Sequence, residues 1–188
     1  MARPREFDEH RVVDAIMLTF WEKGYEATSM QDLVATTGML KGSLYGAFGD
    51  KQALYLMALE RYDKTHIQAG IDQLSADGTV QEKIARLFDA VLESVRTDTF
   101  AGGCLLCNAS MERAPVDTSV QKLVEKQINR LHKAVCIAIA PLTPGASQCD
   151  SLAGYIVTAY FGTRVIAKSG MSDEMIIATR DQCLSALG

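Results

Sequence analysis

The chain has 188 residues, a formal net charge of −4 and a pI near 5.4, with 48% hydrophobic and 22% charged residues. That is ordinary globular composition, long enough for one sizeable core and too short for a multidomain enzyme. It excludes intrinsic disorder, fibrous repeats and a membrane span, and it argues against a broad basic face that coats nucleic acid.

The N-terminus, MARPREFDEH, turns acidic at once and has no apolar core, so no signal peptide is expected and the expected compartment is the cytoplasm. Val13, Ile16, Met17 and Phe20 recur at helical spacing and predict a helix over about 7–23, stopped by Gly24. Ser29 with Asp32 is a capping box that opens a very short helix, closed by Thr36-Thr37-Gly38. A second short helix fits Lys41 to Phe48. Asp50 then caps a long helix running to about Leu74.

The second half repeats this grammar. Thr79 and Glu82 form another capping box ahead of Ile84, Leu87, Phe88, Val91, Leu92 and Val95. A short helix is expected from about Cys104 to Arg113, and Pro115 ends it. Asp117 or Thr118 opens a helix carrying Val120 to Ile139. Two more helices are expected at about Ser151–Lys168 and Asp173–Leu187, with Ser172 as a cap. No segment alternates with the period of a strand. The expectation is all-α, about nine helices, with a head at 1–50 and a helical body at 51–188.

Two short helices around Gly38, with Met30, Leu33, Val34, Met39, Leu44 and Phe48 as the apolar set, fit a helix-turn-helix as well as a plain helical hairpin. In the former, the second helix enters the DNA major groove N-terminal end first. It would present Lys41, Gly42, Ser43, Tyr45, Gly46 and Ala47. Charge does not decide between them, because residues 1–62 hold seven Lys and Arg against nine Asp and Glu.

Residues 24–54, GYEATSMQDLVATTGMLKGSLYGAFGDKQAL, resemble the DNA-binding signature of the TetR family of transcriptional regulators. The shared pattern is a Gly-aromatic turn, a Thr-Ser cap, a short helix, Gly, a Lys-Gly-Ser-Leu-Tyr recognition helix, a Phe and an acid-Lys pair. The resemblance implies that Thr28 and Ser29 cap the first short helix and meet phosphate. It also implies that Lys41, Gly42 and Ser43 face the groove, that Tyr45 reaches backbone or a thymine methyl, and that Lys51 meets a phosphate. Leu40 stands where a Ser or Thr cap is usual, and Gly46-Ala47 replace larger residues. Both departures imply fewer DNA contacts per head. Arg3 and Arg5 form a basic arm suited to the backbone or minor groove.

The resemblance implies an inducer-binding, dimerising C-terminal body, and therefore a homodimer on a double-stranded operator. Leu152, Ala153, Ile156, Val157, Ala159, Tyr160, Phe161, Val165 and Ile166 make helix 151–168 apolar nearly all round. Either a partner subunit or a central core position would cover it. With the last helix it would form an isologous four-helix interface. A small-molecule pocket is expected among Met57, Arg61, Leu87, Phe88, Val91, Leu106, Asn108, Met111, Leu131 and Val135, which would also serve as core.

Phe100 to Pro115 is similar to the Gly-Cys-Leu segment of an electrophile- and oxidant-responsive subgroup of that family. Cys104 follows a Gly pair at a helix start, where the helix dipole favours a thiolate, and Cys107 lies one turn on. Three readings stand for the pair: packed apolar residues, a redox or electrophile sensor with Lys168 assisting Cys104, or half a metal site. The five cysteines are odd in number and do not suggest a disulfide framework. His10, His66 and His132 show no ligand spacing, and His132, on a stripe edge, reads as an ordinary surface or pocket residue. No catalytic constellation, cofactor motif or metal motif is visible. The expected function is a DNA-binding regulator, a repressor released by an inducer or by cysteine modification. The alternative is an all-α dimeric ligand-binding protein without DNA binding.

Overall fold

The computed structural model describes residues 8–97, 103–170 and 172–188. Arg3, Arg5 and the Phe100–Gly102 part of the cysteine segment lie outside them. The described residues contain helices and no strand. Helix α1 (Glu9–Lys23) is capped by the Asp8 carboxylate, which accepts from the His10 and Arg11 amides. Helix α2 (Met30–Thr37) has the Ser29–Asp32 capping box and ends on Gly38 in the left-handed region. Helix α3 (Lys41–Phe48) follows after three residues. Leu33 and Leu44 are fully buried and fix the α2–α3 angle, while Ile16, Phe20, Leu54 and Tyr55 join α1 to the next helix.

That next helix carries the first difference from expectation. The stretch predicted as one helix to Leu74 is α4 (Lys51–Tyr62), a π-turn (Asp63–Ile67) and α5 (Gln68–Ser75). A π-turn leaves carbonyls of the preceding turn short of donors. Here the Gln127 Nε2 donates to the Leu59 carbonyl at 2.9 Å and the Thr65 hydroxyl to the Arg61 carbonyl at 2.8 Å. Arg130 holds the turn from outside, donating to Asp63 and to Gln68. No local periodicity announces this insertion, because one of its supporting donors, Gln127, comes from a helix far along the chain.

The body continues with α6 (Val80–Arg96), α7 (Leu105–Glu112), α8 (Thr118–Ile139), α9 (Ala146–Ala167) and α10 (Asp173–Ser185). Counting α4, the π-turn and α5 as one interrupted rod, this gives nine helices among the described residues. The Thr79–Glu82 box and the Asp117 cap stand as predicted. Helix α9 starts five residues earlier than expected, because Gly145 rather than Ser151 begins it. Ser172 flanks α10 but makes no side-chain cap bond. Helix α9 packs on α8 and α6, and α10 packs on α6, so the apolar character of α9 is partly that of a core helix. Its outer stripe still exposes Tyr155, Gly162 and Val165, and α10 exposes Met175.

Replacing the fully buried Gln127 by Leu removes the side-chain donor to the Leu59 carbonyl. The loss of that bond costs about 1–2 kcal/mol. We expect a melting temperature lower by roughly 3–6 °C for a chain of this size, measured by calorimetry on Gln127→Leu against wild type.

Candidate nucleic-acid interface and its link to a buried thiol

Helix α3 presents an open, low face. Lys41, Gly42, Ser43, Gly46 and Ala47 are exposed, Tyr45 is 40% exposed, and only Leu44 is buried. A Cβ built on Gly42 or Gly46 meets nothing within 4 Å. The fold therefore does not require glycine at either position, although each weakens a helix by up to about 1 kcal/mol relative to Ala. What these glycines supply is a flat surface for close approach from outside. Leu40, the N-cap residue of α3, makes no cap bond and is 79% exposed, an apolar side chain standing at the leading end of that face. The Lys41 ammonium lies 5.9 Å from the Tyr45 ring centre.

The residues around α2 divide. Ser29 caps it: its hydroxyl accepts from the Asp32 amide at 3.1 Å and donates to the Asp32 carboxylate at 2.6 Å. Lys23 pairs with the same carboxylate at 2.5 Å. The Lys23 and Ser29 hydrogen bonds hold the Asp32 carboxyl well below its usual range. Thr28 corrects the sequence expectation. It is buried and does not cap α2; its hydroxyl donates to the Gly24 carbonyl at 2.6 Å, closing the turn that presents Ser29. Lys51 opens α4 with its ammonium 4.3 Å from the Tyr25 ring centre, and the Arg113 guanidinium sits 4.4 Å from the same ring.

Arg113 is the C-cap residue of α7, a helix that touches both α1 and α4 beside their own larger contact. The Glu112 carboxylate accepts from the Tyr25 amide at 2.8 Å and the Glu26 amide at 2.7 Å. At the other end of α7, the Trp21 indole donates to the Gly103 carbonyl at 3.1 Å. Arg61 adds a two-pronged pair with Asp14, at 2.6 and 3.0 Å, between α4 and α1. Glu112 at the end of α7 thereby holds the turn between α1 and α2, and Gly103, just ahead of α7, holds the last turn of α1.

Cys104 is the N-cap residue of α7 and is 1% exposed. The Tyr62 hydroxyl donates to its sulfur at 3.3 Å, and the buried Arg164 guanidinium donates to Tyr62 Oη at 3.1 Å and to Tyr160 Oη at 3.0 Å. Burial opposes ionisation of the Cys104 thiol. Donation from the Cys107 thiol, the Arg164 charge and the Tyr62 hydroxyl together outweigh it, and the pKa falls below the ordinary thiol range. Cys107 moves the opposite way, through its bond to Cys104 and its own burial. The cation that lowers the Cys104 pKa is Arg164, which also holds the Tyr62 hydroxyl against the sulfur. Lys168 lies one turn further along α9, is exposed, and runs its stem over Gly103, where a Cβ would stand 2.8 Å from Lys168 Cδ.

Of the residues named for an inducer pocket, Phe88, Val91, Leu106 and Leu131 are packed in the core, as are Leu87 and Val135. Met57 is half-buried and Arg61 is engaged by Asp14. Asn108 and the exposed Met111 instead border an open cleft of about 340 Å³ with Glu22, Glu112 and Lys168. The structure thus splits that set between the core and a surface cleft beside α7. Sequence reasoning missed Trp21, Tyr62, Glu112 and Arg164, whose roles depend on partners far along the chain.

Comparison with known proteins bears on the head first. A family model described as bacterial regulatory proteins, tetR family, matches residues 12–58. The HTH-type transcriptional regulator YezE of Bacillus subtilis (strain 168) is 34% identical over 134 residues, covering 71% of this chain and 69% of that protein. The HTH-type transcriptional repressor ComR of Escherichia coli (strain K12) is 27% identical over 184 residues, covering 93% and 86%. Among solved structures, a cysteine mutant of the TetR family transcriptional regulator CifR, in complex with 26-bp double-strand operator DNA, superposes with a TM-score of 0.84. It is 26% identical and covers 98% of this chain and 99% of that one.

His66 reports on the packing around the thiol. Its ring stacks on Tyr62 at 4.7 Å and meets Trp21 edge-on at 4.6 Å. Burial, and then the Arg164 charge, push its pKa down to about 4. A pKa depressed on folding means stability that is complete above the unfolded value of about 6.5 and is lost as pH falls toward the folded value. We expect the urea midpoint to drop between about pH 6.5 and 4.5, and His66→Gln to flatten that part of the profile. An equal slope in the variant would assign the loss to other groups.

Proposed function

From the premise that the chain belongs to the TetR family of bacterial regulatory proteins, we propose that it is a cytoplasmic homodimeric repressor whose operator affinity is set through α7. It is a DNA-binding transcriptional regulator and not an enzyme. Residues 1–50 are read as the DNA-binding head and 51–188 as the effector-binding and dimerising body. The outer stripe of α9 and α10, with Tyr155, Val165 and Met175 exposed, supplies a self-complementary face for a two-fold partner. Two-fold protein symmetry calls for a palindromic operator, with recognition helices about 34 Å apart.

The observation that carries the DNA reading is the low face of α3. Lys41 and Ser43 reach base edges or phosphate, Tyr45 reaches backbone or a thymine methyl, and Leu40 adds an apolar contact to a thymine methyl. Gly42 and Gly46 let the helix backbone approach. Ser29 and Lys51 position the head on phosphates, and Thr28 supports the turn between them. Lys41→Ala with Tyr45→Ala is expected to abolish specific binding in a gel shift while leaving folding and dimerisation intact. Gly46→Ala separates fold from function: it should raise the melting temperature, through up to about 1 kcal/mol of helix propensity, and weaken operator binding. A Gly46→Ala protein that binds as tightly as wild type would remove the close-approach argument.

Release is assigned to Cys104. Its thiolate adds to the electron-poor carbon of a quinone or similar electrophile. A C–S bond forms, the electron pair moves to the carbonyl oxygen, and that oxygen takes a proton from water. The flexible Lys168 stem over Gly103 is the part that moves to admit the reagent, and the cleft holding Asn108, Met111 and Lys168 is where a small molecule gathers. An added group at the N-cap of α7 displaces Tyr62 and the Gly103 carbonyl from Trp21, and shifts Glu112 against the Tyr25 and Glu26 amides. The half-buried Cys107 thiol donates to the Phe161 carbonyl at 3.9 Å and turns its proton to the Cys104 sulfur when that thiolate forms. Cys104→Ser is expected to hold its operator in the presence of a quinone that releases wild type. If it lets go as readily, a non-covalent inducer is the regulator and the thiol reading fails.

A further inference from the structure

We propose that His132, Cys136 and Asp150 form a binding site for one divalent cation of the zinc class, joining the end of α8 to the start of α9. His132 and Cys136 are four residues apart on α8 and therefore share a helix face. That face meets α9. His132 Nε2 lies 3.2 Å from the Asp150 carbonyl oxygen and 3.6 Å from Asp150 Oδ1. The ligand atoms of the three side chains all lie within 4.8 Å of one another. The Cys149 thiol donates to the Cys136 carbonyl at 3.2 Å and fixes the helices at this crossing, while the Cys136 thiol donates to the Cys149 carbonyl at 3.6 Å, a bond it gives up when it loses its proton to ligate.

The geometry suits a small tetrahedral ion. Bonds of about 2.3 Å to sulfur and 2.0–2.2 Å to nitrogen and oxygen place the ligand atoms roughly 3.3–3.7 Å apart. Closing the present separations to those values takes an ångström or so of side-chain motion. Asp150 can supply it, since its side chain is 78% exposed. The donor set of one sulfur, one nitrogen and one oxygen selects a borderline ion over calcium or magnesium, which take oxygen. The fourth position faces solvent and is filled by water. In sequence the site is nearly silent, because His132 and Cys136 make only half of it, and Asp150 comes from the next helix.

The site is separate from the α7 thiols. Helix α8 begins at Asp117, which bonds Gln52 of the head-side helix α4, and Cys136 lies roughly 27 Å further along the axis. A cation there ties the last turns of α8 to the first turns of α9 across the loop between them, and so stiffens the helix that carries the outer stripe.

The test uses the full-length untagged protein, reduced with a phosphine that does not bind metal, and titrated with Co²⁺ as the spectroscopic probe. One equivalent per chain is expected to give a thiolate-to-cobalt charge-transfer band that Zn²⁺ bleaches. Cys136→Ser should abolish the band, and His132→Ala should weaken binding more than about a hundredfold, while Cys104→Ser with Cys107→Ser keeps it. At a hundredfold excess over Kd, Zn²⁺ should raise the wild-type melting temperature by roughly 5–10 °C, and leave Cys136→Ser unmoved. An unchanged band in Cys136→Ser, its loss in the Cys104 and Cys107 double variant, or no band at all would each overturn the proposal.

Discussion

The carboxylate of Glu112 is the interaction on which the rest turns. It sits in the last turn of α7, where the helix dipole disfavours an acid. It stays because two backbone amides of the head, those of Tyr25 and Glu26, donate to it. These charge-assisted bonds fix the C-terminal end of α1 and the turn before α2 to the body. The other end of the same helix holds Trp21 through the Gly103 carbonyl. On the proposed reading, a shift of the α7 N-cap would reach the head through these two contacts, beside the larger packing of α1 on α4.

That N-cap is Cys104, a buried thiol whose surroundings favour its ionised form. Burial alone would keep it neutral. Arg164, reaching in from α9 between Tyr62 and Tyr160, sets the local field, and the two phenols shape its position. The same field reaches His66, where it adds to burial in keeping the imidazole neutral. One guanidinium thus links α9, the π-turned rod and α7. The π-turn contributes directly, since Tyr62 and His66 flank and occupy it.

The head was legible in the sequence because its determinants are local. Ser29 with Asp32, Gly38 and Asp50 are each read within four residues, and the structure places each where the pattern put it. The body was legible as helices and boundaries, less so as a mechanism. Arg164 was hidden inside a helix read for its apolar residues, and only the fold brings Tyr62 to it from 102 positions away. Lys168 drew attention instead, because a lone Lys after an apolar run stands out. The π-turn left no trace, since Gln127, its supporting donor, is remote. Glu112 did leave one: an acid at the wrong end of a short helix signals a partner outside that helix.

The cations around the DNA-facing end are solvent-reachable but not idle: Lys23 pairs with Asp32, Lys41 lies near the Tyr45 ring and Lys51 over the Tyr25 ring. A phosphate that meets one of them competes with a partner already in place. With seven Lys and Arg against nine Asp and Glu over residues 1–62, the general pull of the duplex on this end is modest. On the proposed reading, operator occupancy then rests mainly on the fit of two recognition helices at once.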